Sequence, residues 1–149
     1  MARFVLTVTV VVTLLVASLL AVRSAYAEEI TVYKTPTCGC CSGWVDHLRD
    51  NGFDVTTHDL DNLAGIKARH GLTDARLMSC HTAIVDGYVV EGHVPADDIR
   101  RLIEEKPDVL GIAAPGMPQL SPGMHSDIPK NYDVLSFDRQ GRIGLFSRY

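Results

Sequence analysis

The sequence lacks a basic cluster, and its 14 lysine and arginine residues are outnumbered by 18 aspartate and glutamate residues, which gives a formal net charge of −4. Nucleic acid and anionic membrane surfaces attract basic proteins, because both surfaces carry dense negative charge. We therefore expect no nucleic-acid partner. The sequence also lacks internal repeats, and its 149 residues suit one compact domain rather than several.

Long apolar runs are absent except at the N-terminus, where residues 4–22 are almost wholly apolar. This run follows Arg3 and leads to Ala25-Tyr26-Ala27, which predicts a signal peptide over residues 1–27 with an A-x-A cleavage site. Because the run is long for a signal peptide, an uncleaved membrane anchor is the alternative. Either way, residues 28–149 are expected to form a single domain in the periplasm or another exported location, in contact with the membrane only through the N-terminal segment.

The apolar periodicity predicts the order strand, helix, strand, helix, hairpin, helix between residues 30 and 106. The hairpin is centred on Asp86-Gly87, a pair typical of a type I′ turn. This order predicts an α/β, thioredoxin-like fold in which helices cover both faces of a central four-stranded sheet. A Pro/Gly-rich loop is predicted over residues 107–131, and a last hairpin over residues 133–146.

Four cysteines are the main chemical signal. Three of them, Cys38, Cys40 and Cys41, lie in KTPTCGCCSGW at a strand-to-helix turn, just before a helix predicted to begin near Ser42. A framework of two disulfides would have to join two of these three neighbours and link the other to Cys80. A loop that short contributes only about 2 kcal/mol on the chain-entropy model, so the spacing disfavours a stabilising framework.

A redox function is one interpretation of the turn, because Cys38 and Cys41 form a CxxC motif. The positive end of the helix dipole and the free N–H groups of the first turn stabilise a thiolate. The second cysteine of such a pair can then resolve a mixed disulfide. Cys40, however, is a third thiol that simple disulfide exchange does not require.

Metal binding uses all four thiols. Clustered thiolates favour soft ions, and bridging thiolates predict Cu(I), with several ions bound, more readily than zinc, because adjacent Cys40 and Cys41 cannot easily face one tetrahedral ion. His81 and Met117 are the candidate supplementary ligands, with Met124 and His125 nearby in the sequence. The remaining histidines, among them His93, are most simply explained as surface or packing residues.

The stretches YKTPTCGCCSGW, MSCHTAIVDGYVVEGHVPADDIRRLIEEKP and GIAAPGMPQLSPGM resemble the family known as domain of unknown function 411, over about residues 30–124. The resemblance implies a thioredoxin-like fold, a location in the bacterial envelope and copper binding through the cysteines, in a family that includes periplasmic copper-resistance proteins. Where relatives of thioredoxin carry a cis-proline before the third strand, this chain has Cys80-His81-Thr82. This departure argues against general disulfide exchange, which uses that proline to hold a substrate peptide.

The leading hypothesis is an exported Cu(I)-binding protein that contributes to copper resistance, with Cys38, Cys40, Cys41, Cys80, His81 and Met117 as ligands. Copper ions and other periplasmic copper-handling proteins are the expected partners. The alternative is a thiol-disulfide or copper oxidoreductase that uses Cys38 and Cys41 as catalytic residues. A structural or interaction domain with four inert cysteines is the third hypothesis.

Overall fold

The computed structural model describes residues 27–126 and 128–149; residues 1–26 of the predicted leader lie outside this part. None of the helices among the described residues is long and apolar enough to cross a membrane. The described elements are the strands β1 (Glu29–Lys34), β2 (Asp54–Asp59), β3 (His81–Val85), β4 (Tyr88–Gly92), β5 (Gly111–Ala114), β6 (Asp133–Phe137) and β7 (Ile143–Arg148), and the helices α1 (Gly39–Asp50), α2 (Ala64–Arg69) and α3 (Ala96–Glu105).

The strands of the described part form one seven-stranded sheet in the order β2-β1-β3-β4-β5-β6-β7. The neighbours β1 and β2 are parallel, as are β4 and β5, and the other neighbouring pairs are antiparallel. The mixed α/β class is confirmed, and both predicted hairpins form. Asp86 and Gly87 have φ of 46° and 82°, which agrees with the predicted turn. The sheet is wider than the predicted four strands.

Strand β5 explains the wider sheet, because it lies within residues 107–131, which the Pro/Gly content had suggested were a loop. Ile112, Ala113 and Ala114 are fully buried, and β5 pairs with β4 on one side and β6 on the other. Gly111 begins the strand where its backbone passes close to β4: a Cβ there would lie 2.0 Å from the Val89 carbonyl oxygen. Four residues are too short a run to stand out among flanking prolines and glycines.

Two buried apolar clusters divide the side chains of the central strands. One contains Val90 and Ile112 with residues of α1 and α3, and the other contains Val89 and Ala113. Since successive side chains of a strand point to opposite faces, the clusters lie on opposite faces of the sheet. This central sheet supports the ends of β1 and β3, where the cysteines lie.

Helix α1 begins at Gly39, one turn earlier than the prediction from Ser42. Cys38 is its N-cap residue, with extended backbone, and its carbonyl accepts the Ser42 N–H at 3.2 Å. Cys41 is fully buried and continues the apolar stripe of Trp44 and Leu48 back by one turn. Burial of this side chain accounts for the longer helix, so Cys40 and Cys41 lie inside α1 rather than before it.

Candidate metal and redox centre

The cysteine cluster, defined as Cys38, Cys40, Cys41 and Cys80, is assembled by the pairing of β1 with β3. The last residue of β1, Lys34, is opposite the first residue of β3, His81. Cys80 therefore enters the sheet beside the turn that leads from β1 to α1. The Sγ atoms of Cys80 and Cys41 are 3.3 Å apart, and the four sulfur atoms all lie within 4.8 Å of one another. The metal-binding hypothesis requires Cys80 to approach the other three cysteines, and the structure brings it there.

Cys38 and Cys41 are joined by a disulfide, while Cys40 and Cys80 are free thiols. The framework of two disulfides is therefore absent from the described residues, and the pairing is that of the CxxC interpretation. Each sulfur of the disulfide has a neighbouring thiol: Cys40 Sγ lies 3.5 Å from Cys38 Sγ, and Cys80 Sγ lies 3.3 Å from Cys41 Sγ. The centre can exchange disulfides, and after reduction it can present four thiolates to a soft metal.

The Cys80 thiol is partly buried, and this burial raises its pKa. Negative charge on nearby Cys40 raises the pKa further. The Cys40 and Cys80 sulfur atoms lie within 4.8 Å of each other, so their thiolates repel. A bound cation would favour deprotonation of both thiols.

His81 is fully buried directly behind the cysteine cluster. Its Nδ1 lies 3.5 Å from Cys80 Sγ, and its ring packs on Trp44 with centroids 4.4 Å apart. Burial lowers the pKa of His81 well below 6.5, and the neighbouring His93 lowers it further. The Nε2 atom of His81 is buried without a hydrogen-bond partner. Trp44 belongs to the core, and its Nε1 donates to the Val94 carbonyl at 2.8 Å.

His93 belongs to the same site, although the sequence suggested a surface or packing residue. It is fully buried, and its Nε2 lies 3.8 Å from Cys80 Sγ. The Pro122 carbonyl, 2.8 Å from Nδ1, can only accept a hydrogen bond, so Nδ1 carries a proton. Burial lowers the pKa of His93, which favours the neutral ring and leaves the lone pair of Nε2 directed to the cluster.

A sequence signal for His93 did exist in the β3–β4 hairpin. Val85 pairs with Tyr88 across the turn, and Thr82 pairs with Glu91. Continuing this register outward brings Cys80 opposite His93. The position of the predicted type I′ turn therefore already implied that Cys80 and His93 are neighbours.

The Pro/Gly-rich segment folds across the site at three points. The Pro122 carbonyl bonds to His93, and the Gly116 carbonyl accepts a hydrogen bond from the Ser79 hydroxyl. Gly123 packs so closely on α1 that a Cβ would lie 2.3 Å from the Trp44 nitrogen. Met117 follows Gly116 and is 54% exposed. Its segment is thus attached beside Cys80, and ligation by its sulfur stays a prediction.

Comparison with known proteins agrees with the chemistry of this site. The family model described as "Protein of unknown function, DUF411" matches residues 77–124. Two solved structures of "Copper resistance protein copG", Form 1 and Form 2, are each 41% identical to the chain with a TM-score of 0.75. Each match covers 83% of this chain and 98% of the solved chain. A search of curated proteins found no match.

The chain belongs to the DUF411 family. The part of this DUF411 protein that the family model matches includes Cys80, His81, His93 and Met117. The CxCC turn lies outside that model, and the β1–β3 pairing brings it to Cys80. The protein is therefore a homologue of a copper-resistance protein and has a cysteine cluster that could bind metal.

Proposed function

We propose that this protein is an exported Cu(I)-binding protein that contributes to copper resistance, with the cysteine cluster as its binding site. The observation that carries the proposal is the convergence of four sulfur atoms within 4.8 Å on a chain 41% identical to a copper-resistance protein. Sulfur ligands select Cu(I) over hard cations such as Mg²⁺ or Ca²⁺. The proposed cargo is therefore a soft ion.

Copper binding by all four cysteines requires the Cys38–Cys41 disulfide to be reduced. A dithiol can supply the two electrons and two protons by disulfide exchange and becomes a disulfide itself. The four thiols then lose protons as they bind the ion. Adjacent Cys40 and Cys41 favour thiolates that bridge several Cu(I) ions over one tetrahedral zinc site. We include His81, His93 and Met117 as supplementary ligands, since two of them face Cys80 and the third follows Gly116 in the segment attached to Ser79.

Anaerobic copper titration of the mature domain tests this proposal. The protein is reduced with a phosphine, which is then removed, and copper per chain and free thiols are measured after addition of Cu(I). We expect one or more copper ions per chain, fewer in Cys80→Ser, and an unchanged number in His70→Ala, a histidine outside the cluster. Less than one copper per chain, unchanged by Cys80→Ser, would refute the proposal.

A second candidate function, a thiol or copper oxidoreductase, is favoured by the disulfide at the N-terminus of α1 with Cys80 Sγ 3.3 Å from Cys41 Sγ. In this reaction the reduced Cys38–Cys41 pair gives two electrons to one disulfide, or to two Cu(II) ions, and becomes a disulfide again with release of two protons in the copper case. Stopped-flow measurement of Cu(II) consumption and thiol loss tests it. If the reduced protein transfers electrons to neither substrate, this function is excluded.

We further propose a thioredoxin-like unit made of β1 to β4 and the helices, with β5 to β7 as an extension of its sheet. The order β2-β1-β3-β4 supports it, as do the α1 and α3 residues in one apolar cluster and the contact of Lys67 in α2 with Thr82 on the other face.

Export through residues 1–27 and exchange of copper with other periplasmic copper-handling proteins complete the proposal. Mass spectrometry of the N-terminus after expression tests cleavage after Ala27.

A further inference from the structure

Glu91 is a buried carboxylate on β4, directly opposite Thr82 on β3, and it has no exposed surface. Its Oε2 accepts a hydrogen bond from the Thr82 hydroxyl at 2.7 Å. Its Oε1 accepts hydrogen bonds from the Lys67 ammonium of α2 and from the backbone N–H of Ser79. The Lys67 Nζ also donates to the Thr82 hydroxyl at 2.9 Å.

These contacts lie on both sides of Cys80 in the sequence. Strand β3 begins at His81, so Ser79 lies two residues before the first β3 residue and outside the sheet. The Glu91 carboxylate connects Ser79 to Thr82 across Cys80. Ser79 in turn donates its hydroxyl to the Gly116 carbonyl, so the same residue also bonds to the segment that carries Met117. Glu91 thus holds the backbone of the residue directly before Cys80, whose Sγ lies 3.3 Å from Cys41 Sγ.

Stability by itself gives little reason for a carboxylate at this place. Removing two charges from water costs several kcal/mol per ion in general, and apolar side chains of the same shape often replace a buried ion pair without loss. Burial indeed raises the pKa of Glu91, although Lys67 opposes this shift. An apolar replacement, however, would leave the Ser79 N–H without this acceptor.

We propose that Glu91 is a positioning residue for Cys80: by accepting the Ser79 N–H and the Thr82 hydroxyl, it holds the Cys80 sulfur against Cys41 in the cysteine cluster. Lys67 balances the charge of the carboxylate in this arrangement. Loss of this positioning should also weaken Cu(I) binding by the cluster, a consequence that rests on the copper-binding proposal. The effect of Glu91 on the position of the Cys80 sulfur does not involve copper.

The test measures how readily Cys41 and Cys80 form a disulfide. In a Cys38→Ser, Cys40→Ser background these two thiols remain, and equilibration with glutathione gives their effective concentration. Glutathione disulfide oxidises the pair and yields two molecules of reduced glutathione. We expect Glu91→Ala to lower the effective concentration about tenfold or more, and Glu91→Gln, which keeps an oxygen for the Ser79 N–H, to give an intermediate value.

Asp98→Ala in the same background is the matched control. Asp98 is also a buried carboxylate that accepts hydrogen bonds from side chains, in its case Ser147 and Tyr149. We expect this variant to lose stability without changing the effective concentration of the thiol pair. The proposal is overturned if Glu91→Ala leaves that concentration unchanged, or if Asp98→Ala lowers it equally.

If Glu91→Ala does not fold, Glu91→Gln compared with Asp98→Asn decides by the same criterion. Cu(I) titration of the variants with all four cysteines then separates the two proposals. Loss of thiol pairing together with weaker copper retention supports both. Loss of thiol pairing with no copper binding in any variant, including the wild type, supports the positioning role and removes the copper-binding proposal.

Discussion

Replacement of Gly123 by alanine should separate the Pro/Gly-rich segment from α1. Gly123 has φ of +81°, and an added Cβ would lie 2.3 Å from the Trp44 nitrogen and 2.7 Å from its Cα. Left-handed backbone costs an alanine about 1–2 kcal/mol, and an overlap with a helix backbone adds about 1–3 kcal/mol. We therefore expect Gly123→Ala to lower the free energy of unfolding by about 2–5 kcal/mol.

Gly116→Ala is the matched control for this substitution. Gly116 has φ of +72°, and nothing lies within 4 Å of an added Cβ, so the cost should be the backbone term of about 1–2 kcal/mol. Urea unfolding of the disulfide-bonded protein measures both variants. Equal losses in the two variants would show that the approach of Gly123 to α1 contributes nothing and would refute this reasoning.

A second measurement connects Gly123 to the site. The adjacent Pro122 carbonyl is the hydrogen-bond acceptor for His93 Nδ1, at 2.8 Å. If Gly123→Ala displaces this carbonyl, His93 loses the partner that sets its tautomer. Nitrogen NMR of the imidazole should show a mixture of tautomers in Gly123→Ala, while Gly116→Ala should retain the wild-type spectrum.

Three further predictions concern pH, the added strand and the exposed thioether. Because His81 and His93 have folded-state pKa values lowered from 6.5, the unfolded chain binds more protons than the folded one as the pH falls. The free energy of unfolding should therefore decrease below about pH 6.5, by up to about 1.4 kcal/mol per pH unit for each histidine. Urea unfolding of the metal-free protein between pH 8 and pH 5 measures this decrease, and a flat profile would contradict it. Ile112→Ala should lower the free energy of unfolding in urea by about 2–5 kcal/mol, because the Ile112 side chain is fully buried in β5. The control Leu145→Ala should lower it much less, because Leu145 is 55% exposed. Equal losses would argue against a structural role for β5. Met117→Ala should leave the free energy of unfolding within about 0.5 kcal/mol of the wild-type value. The same variant should retain Cu(I) less well in a competition assay with a Cu(I) chelator. Unchanged retention would remove Met117 from the ligand set.

Local patterns sufficed for most secondary structure of this protein. The alternation in β1, the helical spacing of Trp44 and Leu48, and the Asp86-Gly87 turn each act over a few residues, so they can be recognised without knowledge of the rest of the chain. The limits of α1 depended on more than local pattern. Cys41 extends the apolar stripe by one turn, and its burial is a property of the folded core.

The chemical identity of the site was also present in the sequence, since clustered thiols indicate soft-metal or redox chemistry whatever the fold. The sequence determined that Cys38, Cys40 and Cys41 are neighbours. Its Asp86-Gly87 turn also carried the register that, continued beyond the paired residues, brings Cys80 near His93. It did not determine that β1 lies between β2 and β3, with Lys34 opposite His81. That pairing joins segments far apart in the chain, and it brings Cys80 to Cys41.

Tertiary structure alone decided three features: the insertion of β5 between β4 and β6, the attachment of the Pro/Gly-rich segment to α1, and the burial of Glu91 beside Ser79. Each arises where two surfaces meet, either through a backbone approach that only glycine allows or through a hydrogen bond between residues distant in sequence. Local periodicity carries no information about such contacts, because their free energy depends on which segments become neighbours once the sheet has formed.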